Sequence, residues 1–290
     1  MDDRARYLKQ QAELGGAEVI ISRKATELVP TVRVSEPSTM RERPQLQDTA
    51  AMPAAKRPVP PAALLDAPAP RPEAPGVKPI AAPGSWLKGA PAIPRPGLSF
   101  DPPATYPQFA TLAAVAADIA ECRKCALCET RTLTVPGEGD EAAKFVVVGE
   151  GPGANEDETG RPFVGRAGDL LEDILKGIGF PRSSVFILNT VKCRPPENRK
   201  PLPGELAACL PYLHRQLAIL RPKVILAAGS TAIAALMQTK QSIGKLRGQV
   251  HRYGGIPVIA TYHPAYLLRD PSHKKATWDD VRIARQLFDA

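Results

Sequence analysis

The stretch FVVVGEGPG at residues 145–153 decides the fold. Its first four residues are apolar and mostly β-branched, and turn residues follow at once. A run this short and continuous reads as a strand buried on both faces, as in a parallel sheet. The glycines after it read as a tight turn at the strand's carboxyl end. Three more runs of this kind lie further along, at residues 185–188, 224–228 and 257–260. Helical spacing of apolar residues fills the gaps, at residues 111–121, 167–178, 205–220 and 231–237, with Ser230 as the expected N-cap of the last. A further helix over 278–288 closes the chain. Strands alternating with helices predict an α/β fold of three layers, α/β/α, around a central, mainly parallel four-stranded sheet.

Upstream of residue 108 the composition changes. Of 32 prolines in the 290 residues, 19 lie in residues 1–107, and 16 of the 57 residues from 51 to 107 are Pro. Such a segment holds too few large apolar groups to offset its ordering entropy. Residues 1–107 are therefore expected to be a long disordered arm, partly polyproline II, with a short helix or a frayed tail over 1–22. Residues 108–290 are expected to form the one folded domain. The net charge of +8 is compatible with an anionic partner but does not establish one. No run of 18 apolar residues exists, so no membrane span is expected. The first 22 residues lack the apolar core of a secretory signal, so a cytoplasmic, reducing setting is expected. There the five cysteines are metal ligands or free thiols before they are disulfides.

Ligands of open parallel sheets bind outside the carboxyl ends of the strands. The residues at those ends are Glu150, Gly151 and Gly153 after the first strand and Asn189 after the second. Gly229 and Ser230 follow the third, and His263 the fourth. Glycines, a carboxylate, an amide and an imidazole thus converge on one edge, the inventory of a pocket that reads a heterocycle. The turn GEGPG matches neither the dinucleotide fingerprint nor the phosphate-binding P-loop. The segment EDETGRPF at 156–163 reads as a long polar loop beside it. Cys122 and Cys125 form a CxxC pair, Cys193 follows the second strand, and Cys209 lies 16 residues on. Two close and two distant cysteines suit zinc or an iron–sulfur cluster alike. Cys128 is a spare thiol or a competing ligand.

Three blocks now resemble a known family. VVVGEGPGANEDETGRPFVGRAG, VFILNTVKCRPPENRKPLP and TYHPAYLLR are similar to the family 4 uracil-DNA glycosylases, over about residues 120–290. The resemblance implies a monofunctional hydrolase that flips uracil out of single- or double-stranded DNA, leaves an abasic site and acts as a monomer. It also implies a 4Fe–4S cluster held by Cys122, Cys125, Cys193 and Cys209, with Cys128 outside the ligand set. By the same resemblance Asn189 reads the uracil edge, Phe163 stacks on the base, and His263 meets O2 with help from backbone N–H groups of Gly151 and Gly153. Glu150 is the first candidate to position water and Glu156 the second, because Gly151 stands where the better-known glycosylases carry an aspartate.

Tyr266, Leu267, Leu268 and Arg269 suit insertion into the gap left by a flipped base. Lys192, Arg194, Arg199, Lys200, Arg247, Lys274 and Lys275 are candidate phosphate contacts. A different reading stays open beside this one: a non-catalytic iron–sulfur DNA-binding adaptor whose Pro-rich arm recruits a protein partner.

Overall fold

A computed structural model describes residues 87–103 and 111–290. All of them lie within one compact unit, Pro72–Ala290. The expected N-terminal helix falls outside the described residues. The strands are β1 (Pro96–Phe100), β2 (Glu138–Gly139), β3 (Phe145–Gly149), β4 (Phe186–Asn189), β5 (Val224–Ala228), β6 (Val250–Tyr253) and β7 (Ile256–Thr261). The helices are α1 (Leu112–Ala120), α2 (Leu127–Thr130), α3 (Ala154–Thr159), α4 (Gly165–Gly177), α5 (Pro203–Leu220), α6 (Ser230–Met237), α7 (Ile243–Leu246), α8 (Pro264–Arg269) and α9 (Lys274–Asp289).

They form one seven-stranded sheet in the order β1-β6-β7-β5-β3-β4-β2. The four predicted strands are its centre, β7-β5-β3-β4, and every pair among them is parallel. Their side chains alternate between two cores. Val146, Val148, Ile225 and Ala227 face α5 and α6 through Leu213, Leu217, Ile233 and Leu236. Phe145, Val147, Leu226 and Ile259 face α4 and α9 through Leu171, Leu175 and Val281. Two buried faces explain why the strands read as unbroken apolar runs. The chain crosses from β3 to β4 on one side and to β5 on the other, so the switch point lies between β3 and β5, where the α/β rule places a ligand.

The expectation of four strands is corrected by three more at the margins. β1 lies inside the stretch expected to be an arm and pairs in parallel with β6. Its proline is the first strand residue, where a missing N–H costs least. The Leu98 N–H donates to His251 Nδ1 at 2.9 Å, and the Gly254 N–H to the Phe100 carbonyl at 2.8 Å. These few bonds order a segment whose surroundings are Pro-rich. β6 and β7 form an antiparallel hairpin through Gly254 and Gly255, both at positive φ. β2 is only two residues long and antiparallel to β4.

Two local expectations also change. Ser230 is the first helical residue of α6, and Gly229 at φ 102° is the N-cap, with no side-chain cap. Half of the expected polar loop at 156–163 is the helix α3, stopped by Gly160 in the left-handed region.

Candidate active site

A cleft of about 1030 Å³ opens at the carboxyl ends of β3, β4, β5 and β7. Glu150, Gly151, Gly153, Glu156, Phe163, Asn189, His263, Leu268 and Arg269 all line it, so the structure brings most of the expected site residues together.

Glu150 stands at the switch point. Its main-chain carbonyl accepts from the Thr190 hydroxyl and from the Val191 N–H at 3.2 Å. Its side-chain Oε2 accepts from the Thr231 hydroxyl, which reaches across from α6. One carboxylate oxygen is thus held by Thr231, and the group lines the cleft.

Glu156 behaves differently. Its Oε2 accepts the Gly153 N–H at 3.0 Å and its Oε1 the Val164 N–H at 2.9 Å. Both oxygens hold backbone, so Glu156 braces the turn and the start of α4, which counts against it as the carboxylate for water. The same bond engages the Gly153 amide, which is then not available for a base oxygen. Gly151 must stay small, because a Cβ there would stand 2.6 Å from Val191 Cγ2.

Asn189 ends β4 and is 2% exposed. Its Oδ1 has no hydrogen-bond partner. Its main-chain carbonyl accepts from Lys192 Nζ at 2.7 Å. A buried amide oxygen left unpaired costs about 1–3 kcal/mol, so this atom is poised to accept a donor that enters the cleft. A Cβ on Gly149 would overlap both this oxygen and the Phe163 ring, so the close approach of the two depends on a glycine.

Phe163 is 6% exposed and adopts φ 50°. Its ring stacks on that of His263, centroids 5.3 Å apart and 25° from parallel. His263 caps α8 with Nδ1, which accepts the Ala265 N–H at 3.2 Å. A neutral ring that accepts at Nδ1 carries its proton on Nε2 and donates there. Burial, with the positive charge of Arg269, pushes the imidazole pKa down to about 4, so the ring is neutral at neutral pH.

Several expected DNA contacts are corrected. Leu267 is 1% exposed, in a groove with Leu170, Ile174 and Trp278, so it is a packing residue and no wedge. Leu268 is half-buried and Arg269 exposed at the cleft's lip. Lys192 is 1% exposed and cannot reach a phosphate. Arg247 is committed to Asp280 through bonds of 3.0 and 3.2 Å. Lys274 and Lys275 are exposed, and Arg199 and Lys200 line the cleft. Thr231 and Arg182 belong to no motif in the sequence, and Asp157 lies in the EDETGRPF stretch with no signal of its own. Asp157 is 3% exposed and accepts the Thr132 N–H on both oxygens, tying α3 to the preceding loop.

All five cysteines, Cys122, Cys125, Cys128, Cys193 and Cys209, line one small cavity on the other side of Asn189's neighbour Lys192. None forms a disulfide. Among the described residues no group of three or more His, Cys, Asp or Glu is placed to hold a metal ion. Burial pushes the Cys209 thiol up to about 12, against the charge of Lys192. Burial also raises Cys193, against a 3.1 Å bond from Arg131 Nη1. Two cations therefore flank the buried thiols of Cys193 and Cys209, with the half-buried Cys122, Cys125 and Cys128 beside them.

Known proteins are similar to this chain in sequence. The model of the uracil DNA glycosylase superfamily matches residues 136–282. A type-4 uracil-DNA glycosylase of Thermotoga maritima is 46% identical over 174 residues, 59% of this chain and 91% of that protein. One from Pyrobaculum aerophilum is 47% identical over 162 residues, 53% of this chain and 83% of that protein. A type-5 uracil-DNA glycosylase of Thermus thermophilus is 35% identical over 149 residues, 44% of this chain and 68% of that protein. With half of its length matched by the family model and most of the type-4 relatives' length covered, the chain belongs to the uracil DNA glycosylase superfamily, in its type-4 branch.

Proposed function

We propose that the protein excises uracil from DNA by hydrolysing the bond between the base N1 and the sugar C1′. The observation that carries this reading is the unpaired Asn189 Oδ1, buried in the cleft wall. Uracil extruded from the stack brings an N3–H to that oxygen and an O4 to the amide N–H₂. Cytosine offers the opposite pair and leaves polar groups unsatisfied. Phe163 floors the slot and stacks on the base.

As the C1′–N1 bond breaks, its electron pair leaves with uracil and negative charge gathers on O2. The Nε2–H of neutral His263 donates to that oxygen. The free oxygen of Glu150 accepts a hydrogen bond from water, which attacks the cationic C1′ and loses its proton through Glu150 to solvent. The uracil anion takes a proton from solvent, which completes a hydrolysis. Leu268 fills the gap in the stack and Arg269 meets the adjacent phosphate. One chain supplies every group, so a monomer suffices.

The sulfur cavity fits an iron–sulfur cluster by its donor set. Cys122, Cys125, Cys193 and Cys209 would hold the 4Fe–4S group, and Arg131 and Lys192 would balance the negative charge of the thiolates. Its part in the chemistry would be structural, joining the segment after α1 to the end of β4 and to α5. A uracil-containing oligonucleotide tests the whole reading. Incubation should leave the strand intact until alkali breaks it at the uracil position. No abasic site at micromolar enzyme would overturn it.

A further inference from the structure

Phe163 holds a backbone conformation, φ 50°, that bulky residues rarely adopt. Such strain persists only where the surroundings impose it. Three neighbours do so here. Arg182 donates from Nη1 to the Phe163 carbonyl at 3.1 Å and from Nη2 to the Pro162 carbonyl at 2.6 Å. Glu156 Oε1 takes the next N–H, that of Val164, at 2.9 Å. Gly168 leaves room for the Phe163 carbonyl, which a Cβ at that position would overlap. One guanidinium catches the carbonyls of two successive residues, and that requires both to point the same way. Only the rigid, planar fork of arginine spans the two together.

Arg182 is itself steered. Its Nε stands 3.8 Å from Glu138 Oε1, and its side chain is largely buried. Glu138 in turn is gripped by Arg161, with Nε and Nη2 each 2.7 Å from a carboxylate oxygen. Burial would raise the Glu138 carboxyl, but the bond from Arg161 and the charge of Arg182 outweigh it and hold the group below its ordinary range. The chain Arg161–Glu138–Arg182 thus ends on the backbone that carries the Phe163 ring. That ring lies close to Gly149, stacks on His263 and lines the cleft, so its backbone sets its place in the cleft wall.

We infer that Arg182, oriented by Glu138, is a positioning residue that fixes the Phe163 ring at the height where a flipped pyrimidine stacks on it. The inference rests on Phe163 being the floor of the base pocket, as proposed above. It separates base recognition from strand binding, because Arg182 does not line the cleft.

The test uses the full chain and three variants, Arg182→Met, Arg182→Lys and Glu138→Gln. Free uracil is titrated calorimetrically, binding of a uracil-free oligonucleotide is measured beside it, and excision is followed in single turnover. Arg182→Met should weaken free uracil about 10-fold or more and slow excision by a similar factor, with oligonucleotide binding within about twofold. Arg182→Lys should restore part of the loss, and Glu138→Gln should show a smaller loss of the same kind. In a Phe163→Leu background the Arg182→Met loss should shrink to about threefold or less, because the two residues act as a unit. Uracil affinity unchanged in folded Arg182→Met, or a loss undiminished in the Phe163→Leu background, overturns the inference. If Arg182→Met does not fold, Glu138→Gln decides, and an unchanged uracil affinity there overturns it. Wild-type protein that binds uracil but excises none overturns the functional reading alone, since the affinity ratios still judge the clamp.

Discussion

The hydroxyl of Thr231 donates to Glu150 Oε2 across the crevice between β3 and β5. The two residues lie 81 positions apart in the chain, yet the bond engages one particular oxygen of the carboxylate. A hydrogen bond to a charged group is worth about 1.5–3 kcal/mol. Thr231→Val keeps the shape and removes the donor. Single-turnover excision should fall about 10- to 100-fold with DNA affinity unchanged. A rate within twofold of wild type would show that Glu150 needs no such orientation.

Asn189→Asp replaces the amide donor by a second acceptor. Uracil O4 then meets a carboxylate instead of an N–H₂. Excision of uracil should lose about 2–4 kcal/mol of transition-state stabilisation, read as kcat/KM. Excision of cytosine should rise from nothing to a trace, because a carboxylate accepts from its exocyclic amine. Near wild-type excision of uracil would remove Asn189 as the reader of the base.

The imidazole of His263 is held neutral, its pKa pushed from the ordinary value near 6.5 down to about 4, by burial first and then by Arg269. A depressed histidine contributes stability that is complete above its unfolded pKa and is lost as pH falls through the folded one. His214, also pushed down by burial to about 4, acts in the same direction. The excision rate should therefore pass through pH 6.5 with no inflection and decline only as pH approaches about 4–5. The thermal midpoint should instead fall progressively as pH drops from about 6.5 to about 4, where the unfolded chain takes up protons that the folded one refuses. A step in the single-turnover rate centred near pH 6.5 would contradict the neutral His263.

Removal of residues 1–86 leaves in place every strand and every cleft residue among the described residues. Activity on short oligonucleotides should stay within about twofold of the full chain. Removal of residues 1–103 also takes β1, and with it the Phe100 ring packed 6.0 Å from Tyr253. The melting temperature should then fall by about 5 °C or more, since an edge of the sheet and its apolar cover are lost together. Equal melting temperatures for the two shortened proteins would deny β1 its part in the fold.

Cys193→Ser and Cys209→Ser should each strip iron from the purified protein, bleach its visible absorbance and lower its solubility. Cys128→Ser should keep iron and colour. Iron content and absorbance, read beside activity, check the assignment. Loss of iron from Cys128→Ser alone would exchange the ligand.

The central four strands are readable because both of their faces are buried, which writes an uninterrupted apolar run into the chain. The hairpin of β6 and β7 has a weaker signal, since β6, between β1 and β7, mixes His251 and Arg252 with apolar residues. Its Gly254-Gly255 pair is nonetheless a known two-residue hairpin turn. β1 has no such mark, because its order comes from His251 and β6, far away in the chain. Glu150, Asn189 and His263 are legible as candidates because each lies at or within two residues of a strand's carboxyl end. The parts of Glu156, Thr231 and Arg182 are not, because they depend on which backbone or carboxylate tertiary packing brings within reach. Leu267 and Leu268 are adjacent and identical in type, and only the helical turn of α8 sends one inward and one to the cleft.

Glu150, Asn189, Thr231 and His263 come from the ends of four different strands or the helices that follow them, and no two strands alone assemble the cleft. A chain emerging from the ribosome acquires His263 last, when β7 docks beside β5. A chain cut short before β7 therefore lacks the whole side of the cleft that Tyr262, His263 and α8 supply.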